Sequence, residues 1–383
     1  MLPRDVLRDD SLRQELLSLR RGGTSSSSST SSGRLNDDIS SCGNDSHATL
    51  TMIGYKGGKE ENQINQDRAF VIHPFMTNYH LSGVFDGHGT HGEIVAEYSL
   101  QEFPKRLAQQ LRNAEVDTLH QDSIIKILKD TFLDIDRDAR SVSRGKGGCT
   151  ASIILRIGDS LYIANAGDSI SIVATCSHLR DHGQNNNHDN NPKSDTRHHE
   201  DVRAHVHFVT REDKPHLDEE RSRIEAMGGR VWIPSDLTQE SSRVLFVDPQ
   251  TGYQTGLAMS RSIGDWDMIG VIAEPVVTVL SISSLLCSVQ ENKDNSHEDD
   301  DESCTAYDVN SNVHLFVVSA TDGLMDYVDA PTLAESFATA FCEQSLHPLC
   351  VAEDLVYAAA KGWQSDMAGE YRDDIAIAAS MLI

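Results

Sequence analysis

Short apolar runs bounded by glycine, aspartate or asparagine recur along the chain and predict a strand-rich fold. Such runs, rich in β-branched residues, are typical of strands. They lie at residues 69–73, 81–85, 151–156, 161–165, 170–175, 276–281, 313–318 and 375–383. Longer amphipathic stretches predict helices at residues 92–111, 122–141, 218–227, 331–341 and 349–361. Because strands often come in adjacent pairs while helices come in pairs elsewhere, the pattern favours antiparallel sheets flanked by helices over regular βαβ alternation.

Three polar segments interrupt this pattern. The serine tract at 24–32 cannot bury enough apolar surface to offset its ordering entropy, so residues 1–47 are predicted to be a disordered tail and 48–383 the folded part. Residues 178–201, rich in Asn, His and Asp, and residues 288–303, with an acidic run, are predicted to be surface loop insertions. A transition-metal site in the first and a Ca²⁺ site in the second are alternatives, but irregular histidine spacing and the lack of an EF-hand pattern favour solvated loops.

Composition narrows the classes of function. With 383 residues and 38% hydrophobic content, the chain can bury a large core, in one domain or two. The formal charge of −26 argues against nucleic acid or an anionic membrane as a partner, since both attract clustered Lys and Arg. Seven cysteines without a Cys-x-x-Cys spacing indicate a reducing compartment.

The sequence shows neither a membrane-spanning segment nor a secretory signal, which bears on the cellular location. No run of about 18 apolar residues could span a bilayer, and the N-terminus lacks the apolar region of a secretory signal. A transit peptide over residues 1–21 is the alternative, which the acidic residues there weaken. We therefore expect a soluble protein of the cytoplasm, the nucleus or both.

Several aspartates stand at the ends of strand-like runs, where a carboxylate reaches the rim of a sheet without being desolvated in the core. Asp86 directly follows the run 81–85, and Asp168 and Asp322 occupy similar positions. One Asp-Gly pair alone is weak evidence, because both residues are favoured in turns. Several rims can, however, converge on one cation, and a site made mostly of carboxylates suits Mg²⁺ or Mn²⁺ better than Zn²⁺. The pattern indicates metal-assisted hydrolysis.

Nine motifs, in order along the chain, resemble those of the metal-dependent serine/threonine protein phosphatases, the PPM or type 2C family. They are Asn65-Gln66-Asp67, Asp86-Gly87-His88-Gly89, Gly148-Cys149-Thr150-Ala151, Asn165-Ala166-Gly167-Asp168-Ser169, Lys214-Pro215 with Glu225-Ala226-Met227-Gly228-Gly229, Ser260-Arg261-Ser262-Ile263-Gly264-Asp265, Ala273-Glu274-Pro275, Thr321-Asp322-Gly323 and Asp373-Asp374-Ile375. The resemblance covers about residues 48–383. It implies an α+β fold in which two central antiparallel β-sheets are sandwiched between layers of helices, a four-layer α/β/β/α sandwich.

The resemblance also implies a binuclear Mn²⁺ or Mg²⁺ site. Asp86 resembles the carboxylate that bridges both metals, and Gly87 resembles the carbonyl ligand beside it. Asp322 and Asp373 resemble the remaining direct ligands, and Asp168 matches a position associated with a third, weaker metal.

Two further residues are implied to be catalytic. Asp67 resembles the carboxylate that holds metal-bound water, and His88 resembles the proposed general acid. A serine alkoxide is a poor leaving group, so a proton donor near neutral pKa would help by roughly 10²–10⁴-fold. The arginine that many relatives use to hold the substrate phosphate is absent, and the nearest basic residues are Lys59 and Lys56. Lys59 is predicted to bind the phosphate, as a point charge rather than bidentately.

The sequence thus predicts a protein serine/threonine phosphatase that acts as a monomer on a phosphoprotein substrate by metal-activated water, with no nucleic acid or membrane partner. The alternative is a catalytically inactive binding or regulatory module that retains the fold. Asp86, Asp322 and Asp373 are all aspartate, whereas an inactive relative would be expected to lose at least one. The predicted ligand set therefore favours the enzyme.

Overall fold

The structure, a computed structural model, describes residues 46–59, 62–114, 120–178, 202–238, 240–247, 251–287, 313–343 and 346–383. The predicted tail up to residue 45, residues 179–201 of the first predicted insertion and all of the second lie outside the described residues.

Two five-stranded antiparallel sheets form the centre of the protein. The first contains β2 (Arg68–Phe75), β3 (Tyr79–Phe85), β6 (Ala151–Ile157), β7 (Ser160–Ala166) and β14 (Val276–Ser281), in the spatial order β14-β7-β6-β3-β2. The second contains β1 (His47–Met52), β8 (Ile170–His178), β9 (Val202–Val209), β15 (Val313–Ala320) and β16 (Ile375–Met381), in the order β1-β16-β15-β8-β9. Every pairing in both sheets is antiparallel.

The two sheets pack face to face through apolar side chains. Ile154 and Ile163 of the first sheet share a buried cluster with Val173, Leu315 and Val317 of the second. Because the opposite faces of these sheets are covered by helices, the central strands are buried on both sides. This explains why their sequences read as nearly continuous apolar runs rather than as strict alternation.

Helices cover both outer faces. The first sheet is covered by α1 (Gly92–Asn113) and α2 (Gln121–Val142), and Phe103 of α1 packs between Phe85 of β3 and Phe132 of α2. The second sheet is covered by α5 (Ala330–Glu343) and α6 (Pro348–Asp366), reached through the single turn α4 (Asp322–Met325). Burial of each large side chain stabilises the fold by about 1.5–3 kcal/mol. The predicted four-layer sandwich and its predicted strands and helices are confirmed.

Two small three-stranded sheets were not predicted. One, in the order β13-β5-β4, joins β4 (Gly87–His88), β5 (Gly148–Cys149) and β13 (Ile263–Gly264). The other, β10 (Val231–Trp232), β11 (Arg243–Val247) and β12 (Gln254–Leu257), follows α3 (Asp218–Ala226). Strands of two to five residues carry too little periodicity to be recognised in a sequence. The first of these small sheets is important because it positions His88.

Candidate active site

The predicted site aspartates lie next to the ends of central strands. Because neighbouring strands are antiparallel, these ends lie side by side at the same end of each sheet. In the first sheet, the last residue of β3 pairs with the first residue of β2, and the first residue of β6 pairs with the last residue of β7. In the second, the last residue of β15 pairs with the first residue of β8 and lies beside the start of β16. The aspartates next to these ends are Asp67, Asp86, Asp168, Asp322 and Asp373.

The charges of these aspartates meet around Asp86. Burial, followed by the negative charges of Asp67, Asp322, Asp373 and Asp168, raises the pKa of Asp86 well above its ordinary value. The same two causes raise the pKa of Asp67, and they raise the pKa of Asp322 to about 7. A carboxyl pKa is raised in this way when burial and like charges both oppose ionisation. The structure therefore brings all five predicted aspartates into one electrostatic cluster.

Two lysines partly neutralise this cluster. Nζ of Lys56 lies 2.9 Å from Oδ1 of Asp373 and 3.2 Å from Oδ2 of Asp374. Nζ of Lys214 donates to Oδ2 of Asp168 at 2.7 Å. Neither lysine was predicted to belong to the site, although Lys214 belongs to one of the nine motifs. Only the fold reveals that their ammonium groups reach the carboxylates.

Hard divalent cations fit the chemistry of these oxygen donors. Within the described part of the chain, no three His, Cys, Asp or Glu side chains already surround one point as a ready-made metal group. Oδ2 of Asp67 and Oδ1 of Asp168 are, however, buried without a hydrogen-bond partner among the described residues. A bound cation would give these buried oxygens the partner they lack and would offset the neighbouring negative charges. Mg²⁺ and Mn²⁺ prefer such oxygen ligands.

Two glycines permit the close backbone contacts on which this geometry depends. A Cβ at Gly87 would lie 2.5 Å from the carbonyl oxygen of Gln66 and 2.7 Å from that of Gly92. A Cβ at Gly323 would lie 2.0 Å from the carbonyl oxygen of Asp374. The glycines after Asp86 and Asp322 therefore do more than form turns, because any side chain would separate the segments that carry the carboxylates.

His88 is held by Asp265, a residue that the sequence analysis did not assign to the site. Nε2 of His88 donates to Oδ2 of Asp265 at 2.6 Å, and the hydroxyl of Ser262 donates to the same oxygen at 2.6 Å. Burial alone would lower the pKa of His88, but the charge and hydrogen bond of Asp265 outweigh it and the pKa is raised. Nδ1 of His88 is buried and has no partner among the described atoms.

The small sheet β13-β5-β4 places Asp265 next to His88. His88 pairs with Gly148, and Gly148 pairs with Gly264, so the small sheet β13-β5-β4 lays the two segments side by side. Asp265 itself has φ 51°, in the left-handed region that few residues other than glycine adopt. The motif that contains Asp265 was recognised, but its partner could not be inferred without this sheet.

A buried charge network supports the loop that carries Asp168. Glu220 of α3 is fully buried and accepts hydrogen bonds from Arg261, Arg223 and Ser260. Asp213, at the other side of this network, accepts from the backbone N–H of Gly167 at 3.2 Å. The segment that follows β9 is thereby tied to the turn that presents Asp168.

The predicted phosphate-binding residue, Lys59, lies exposed on the loop between β1 and β2. Its carbonyl oxygen accepts from the backbone N–H of Asn62 at 3.0 Å. Lys56, three residues earlier, is the lysine of this loop whose ammonium contacts site carboxylates. The role of Lys59 stays a prediction.

In the described residues, no helix combines the length and the apolar character that crossing a bilayer requires.

Comparison with known proteins agrees with the fold. A 237-residue segment is 32% identical to "Probable protein phosphatase 2C 41" from Arabidopsis thaliana, an alignment that spans 58% of this chain and 60% of that relative. A longer alignment, 28% identical over 333 residues, covers 82% of this chain and 79% of "Probable protein phosphatase 2C 48" from Oryza sativa subsp. japonica. The fold matches the crystal structure of a serine-threonine phosphatase 2C from Toxoplasma gondii with a TM-score of 0.58 and 16% identity, over 88% of this chain and 94% of that one.

The sequence profile of the family described as "Protein phosphatase 2C" matches residues 67–287, more than half of the chain. The matched region begins at Asp67 and contains Asp86, His88, Asp168 and Asp265. Together with the two-sheet sandwich, this match shows that the chain belongs to the protein phosphatase 2C family.

Proposed function

We propose that this protein is a serine/threonine phosphatase that hydrolyses phosphoserine and phosphothreonine in a phosphoprotein substrate, with water as the nucleophile and two Mn²⁺ or Mg²⁺ ions as cofactors. The observation that carries the proposal is the convergence of Asp67, Asp168, Asp322 and Asp373 on Asp86, with His88 two residues beyond it. Family membership supports the same activity.

The residues that would hold the cations are those whose carboxylates share the cluster. Asp86 would be a ligand at the centre of the site, because the charges of the other four aspartates all act on it, and the carbonyl of Gly87 would add a neutral oxygen. Asp322 and Asp373 would complete the site, and Asp168 would serve a third, weaker ion. When bound, such ions supply a water that ionises near neutral pH and clamp the phosphate oxygens for in-line displacement.

Asp67 would orient the attacking water, and His88 would supply a proton. Asp67 is buried, with one carboxylate oxygen unpartnered, so it can accept a hydrogen bond from the attacking water and orient it. His88 would donate a proton to the departing serine or threonine oxygen. The raised pKa of His88 keeps its imidazolium populated at higher pH than in a free histidine, as a general acid requires.

The substrate phosphate needs a positive neighbour beyond the cations, and we retain Lys59 for this role. It stands on the β1–β2 loop, close in sequence to Lys56, whose ammonium already lies against Asp373. A lysine on a mobile stem contributes charge without fixing geometry.

The deciding experiment measures phosphate release by the full chain from a phosphothreonine peptide and from an aryl phosphate, with Mn²⁺, with Mg²⁺ and with EDTA. We expect metal-dependent release that EDTA abolishes and that Asp86→Asn lowers by about 10²-fold or more. Asp130→Asn, an exposed helix residue paired with Lys126, is the matched control and should retain activity.

A folded chain that is silent with every metal would contradict the proposal. If that chain bound the phosphothreonine peptide without releasing phosphate, the inactive binding module would replace the enzyme as the better explanation. Near-normal turnover by folded Asp86→Asn would contradict the placement of the cations at Asp86.

We further propose a monomer located in the cytoplasm, the nucleus or both. The seven cysteines without a Cys-x-x-Cys spacing support a reducing compartment, and the charge of −26 supports a protein that avoids nucleic acid and anionic membranes. Light scattering of the full chain and imaging of a tagged chain in cells would test these two points.

A further inference from the structure

Two cysteines far apart in sequence bring their sulfur atoms together in the core. Sγ of Cys342 donates to Sγ of Cys176 at 2.8 Å, across a sequence separation of 166 residues. Cys176 belongs to β8 of the second sheet, and Cys342 belongs to α5, the helix that covers this sheet. The two sulfur atoms are only about 0.8 Å farther apart than the two atoms of a disulfide bond.

The tightly packed side chains around the two thiols hold them next to each other. Both side chains belong to the buried cluster between the second sheet and its helices, which also contains Phe316, Phe337 and Phe341. Phe341, adjacent to Cys342 in sequence, packs against Phe316 of β15 with ring centroids 5.4 Å apart. Because a close-packed interior resists relative sliding of strand and helix, the sulfur atoms stay within bonding reach.

Access to the pair is unequal. Cys342 is 7% exposed and Cys176 is 1% exposed, so a small oxidant reaches Cys342 first. The hydrogen bond from Cys342, together with burial, raises the pKa of the Cys176 thiol. The easier access to Cys342 and the raised pKa of Cys176 both favour Cys342 as the sulfur that is oxidised first, which leaves Cys176 as its partner. Burial of both residues makes the reaction slow.

We propose that Cys176 and Cys342 are a reversible disulfide site that closes when the protein meets a hydroperoxide. In the first step, written for hydrogen peroxide, Cys342 gives up its thiol proton and the resulting thiolate attacks a peroxide oxygen. The O–O bond breaks, a sulfenic acid forms, and the departing hydroxide takes up that proton and leaves as water. In the second step, the sulfur of Cys176 attacks the sulfur of Cys342, the S–O bond breaks, and the hydroxyl leaves as water with the proton of Cys176. Two thiols and one hydrogen peroxide thus give one disulfide and two waters.

The bond would link the second sheet directly to its covering helix. A crosslink between positions 166 residues apart closes a long loop, so it restricts the unfolded chain more than the folded one. We therefore expect oxidation to raise the melting temperature rather than to unfold the protein. Because Cys176 lies eight residues beyond Asp168, the link is remote from the carboxylate cluster and its detection is independent of phosphatase activity.

The test treats the full chain with hydrogen peroxide, blocks the remaining thiols with an alkylating reagent and maps unreduced peptides by mass spectrometry. We expect a crosslinked peptide pair that contains Cys176 and Cys342, and a melting temperature that rises by several degrees and falls again with dithiothreitol. Cys176→Ala and Cys342→Ala should each abolish both effects. Cys350→Ser, which changes a partly exposed cysteine of α6, should preserve them.

Recovery of Cys176 and Cys342 as alkylated, sulfinic or separately paired residues after peroxide treatment would overturn the proposal. Because this mapping uses the unmodified chain, it decides the question even if an alanine variant fails to fold. A rise in melting temperature that persists in both alanine variants would assign the effect to other cysteines and would equally overturn it.

Discussion

Nε2 of His88 lies 2.6 Å from Oδ2 of Asp265, although the two residues are 177 positions apart in the sequence. The carboxylate fixes the imidazole from one side and leaves Nδ1 facing away from it. In a phosphatase with His88 as the proton donor, Asp265 would act as a positioning residue, because it touches the donor and not the reacting phosphate.

Asp265→Asn should therefore impair turnover more than binding. We expect kcat for a phosphoserine peptide to fall by about 10- to 100-fold, part of the 10²–10⁴-fold that a general acid contributes, with little change in KM. An aryl phosphate, whose leaving group needs no proton, should lose much less. Asp267→Asn is the control, because Asp267 lies two residues away, is exposed, and is 3.8 Å from Lys146. Equal losses on both substrates would show that Asp265 acts on overall structure instead.

Asp322→Asn should have opposite effects on stability in the absence and in the presence of metal. The pKa of Asp322 is raised to about 7 by burial and then by neighbouring aspartates. With a folded-state pKa above the unfolded one, ionised Asp322 destabilises the metal-free protein, and that loss grows as pH rises from about 4 to about 7. Asp322→Asn should raise the melting temperature in EDTA at pH 7.5 by a few degrees and reduce the further rise caused by Mn²⁺.

Thermal melts with EDTA and with graded Mn²⁺ would measure both effects. Asp130→Asn, on the exposed face of α2, should melt like the unmodified chain under both conditions. If Asp322→Asn kept the full Mn²⁺-induced rise in melting temperature, Asp322 would have to be removed from the predicted ligands.

The strands, the helices and the aspartates at strand ends were predictable because all of them depend on local pattern, whereas the four-layer sandwich was predicted from the resemblance to the type 2C phosphatases. A β-branched run marks a strand wherever it occurs, and an aspartate after it must lie at a sheet edge. Contacts such as that between His88 and Asp265 were not predictable, since they depend on two-residue strands with no periodicity. The same holds for Lys56 and Lys214. A lysine in a loop carries no local sign of which carboxylate its ammonium will reach.

The two lysines of the β1–β2 loop should have separable roles. Lys56 contacts both Asp373 and Asp374, so Lys56→Ala leaves the buried carboxylate of Asp374 without its cation and should lower stability. Lys59→Ala should shift stability by less than about 1 kcal/mol, because the side chain is exposed, and should raise KM for a phosphothreonine peptide by about 3- to 10-fold, in line with the loss of one exposed charge contact to phosphate. Thermal melts and steady-state kinetics on both variants would distinguish them. An unchanged KM in Lys59→Ala would remove Lys59 from the phosphate site.

Glu220 should provide stability that is lost in acid. It is fully buried and accepts from Arg261 at 2.6 Å, from Arg223 at 2.6 Å and from Ser260 at 2.7 Å. Burial raises its pKa, but these partners outweigh burial and lower it to about 2. Because the folded-state pKa lies below the unfolded one, the contribution is complete above about pH 4.5 and is lost as pH falls towards 2.

Glu220→Gln should therefore destabilise the protein by about 3 kcal/mol at pH 7, since it leaves two partly buried guanidinium groups without their buried carboxylate. The difference from the unmodified chain should shrink between pH 4.5 and pH 2, as measured by urea unfolding at each pH. Glu219→Gln, which changes the exposed neighbour that contacts Arg211, is the matched control and should shift stability by less than about 0.5 kcal/mol. A difference between Glu220→Gln and the unmodified chain that stays constant across this pH range would show that the network does not depend on the charge of Glu220.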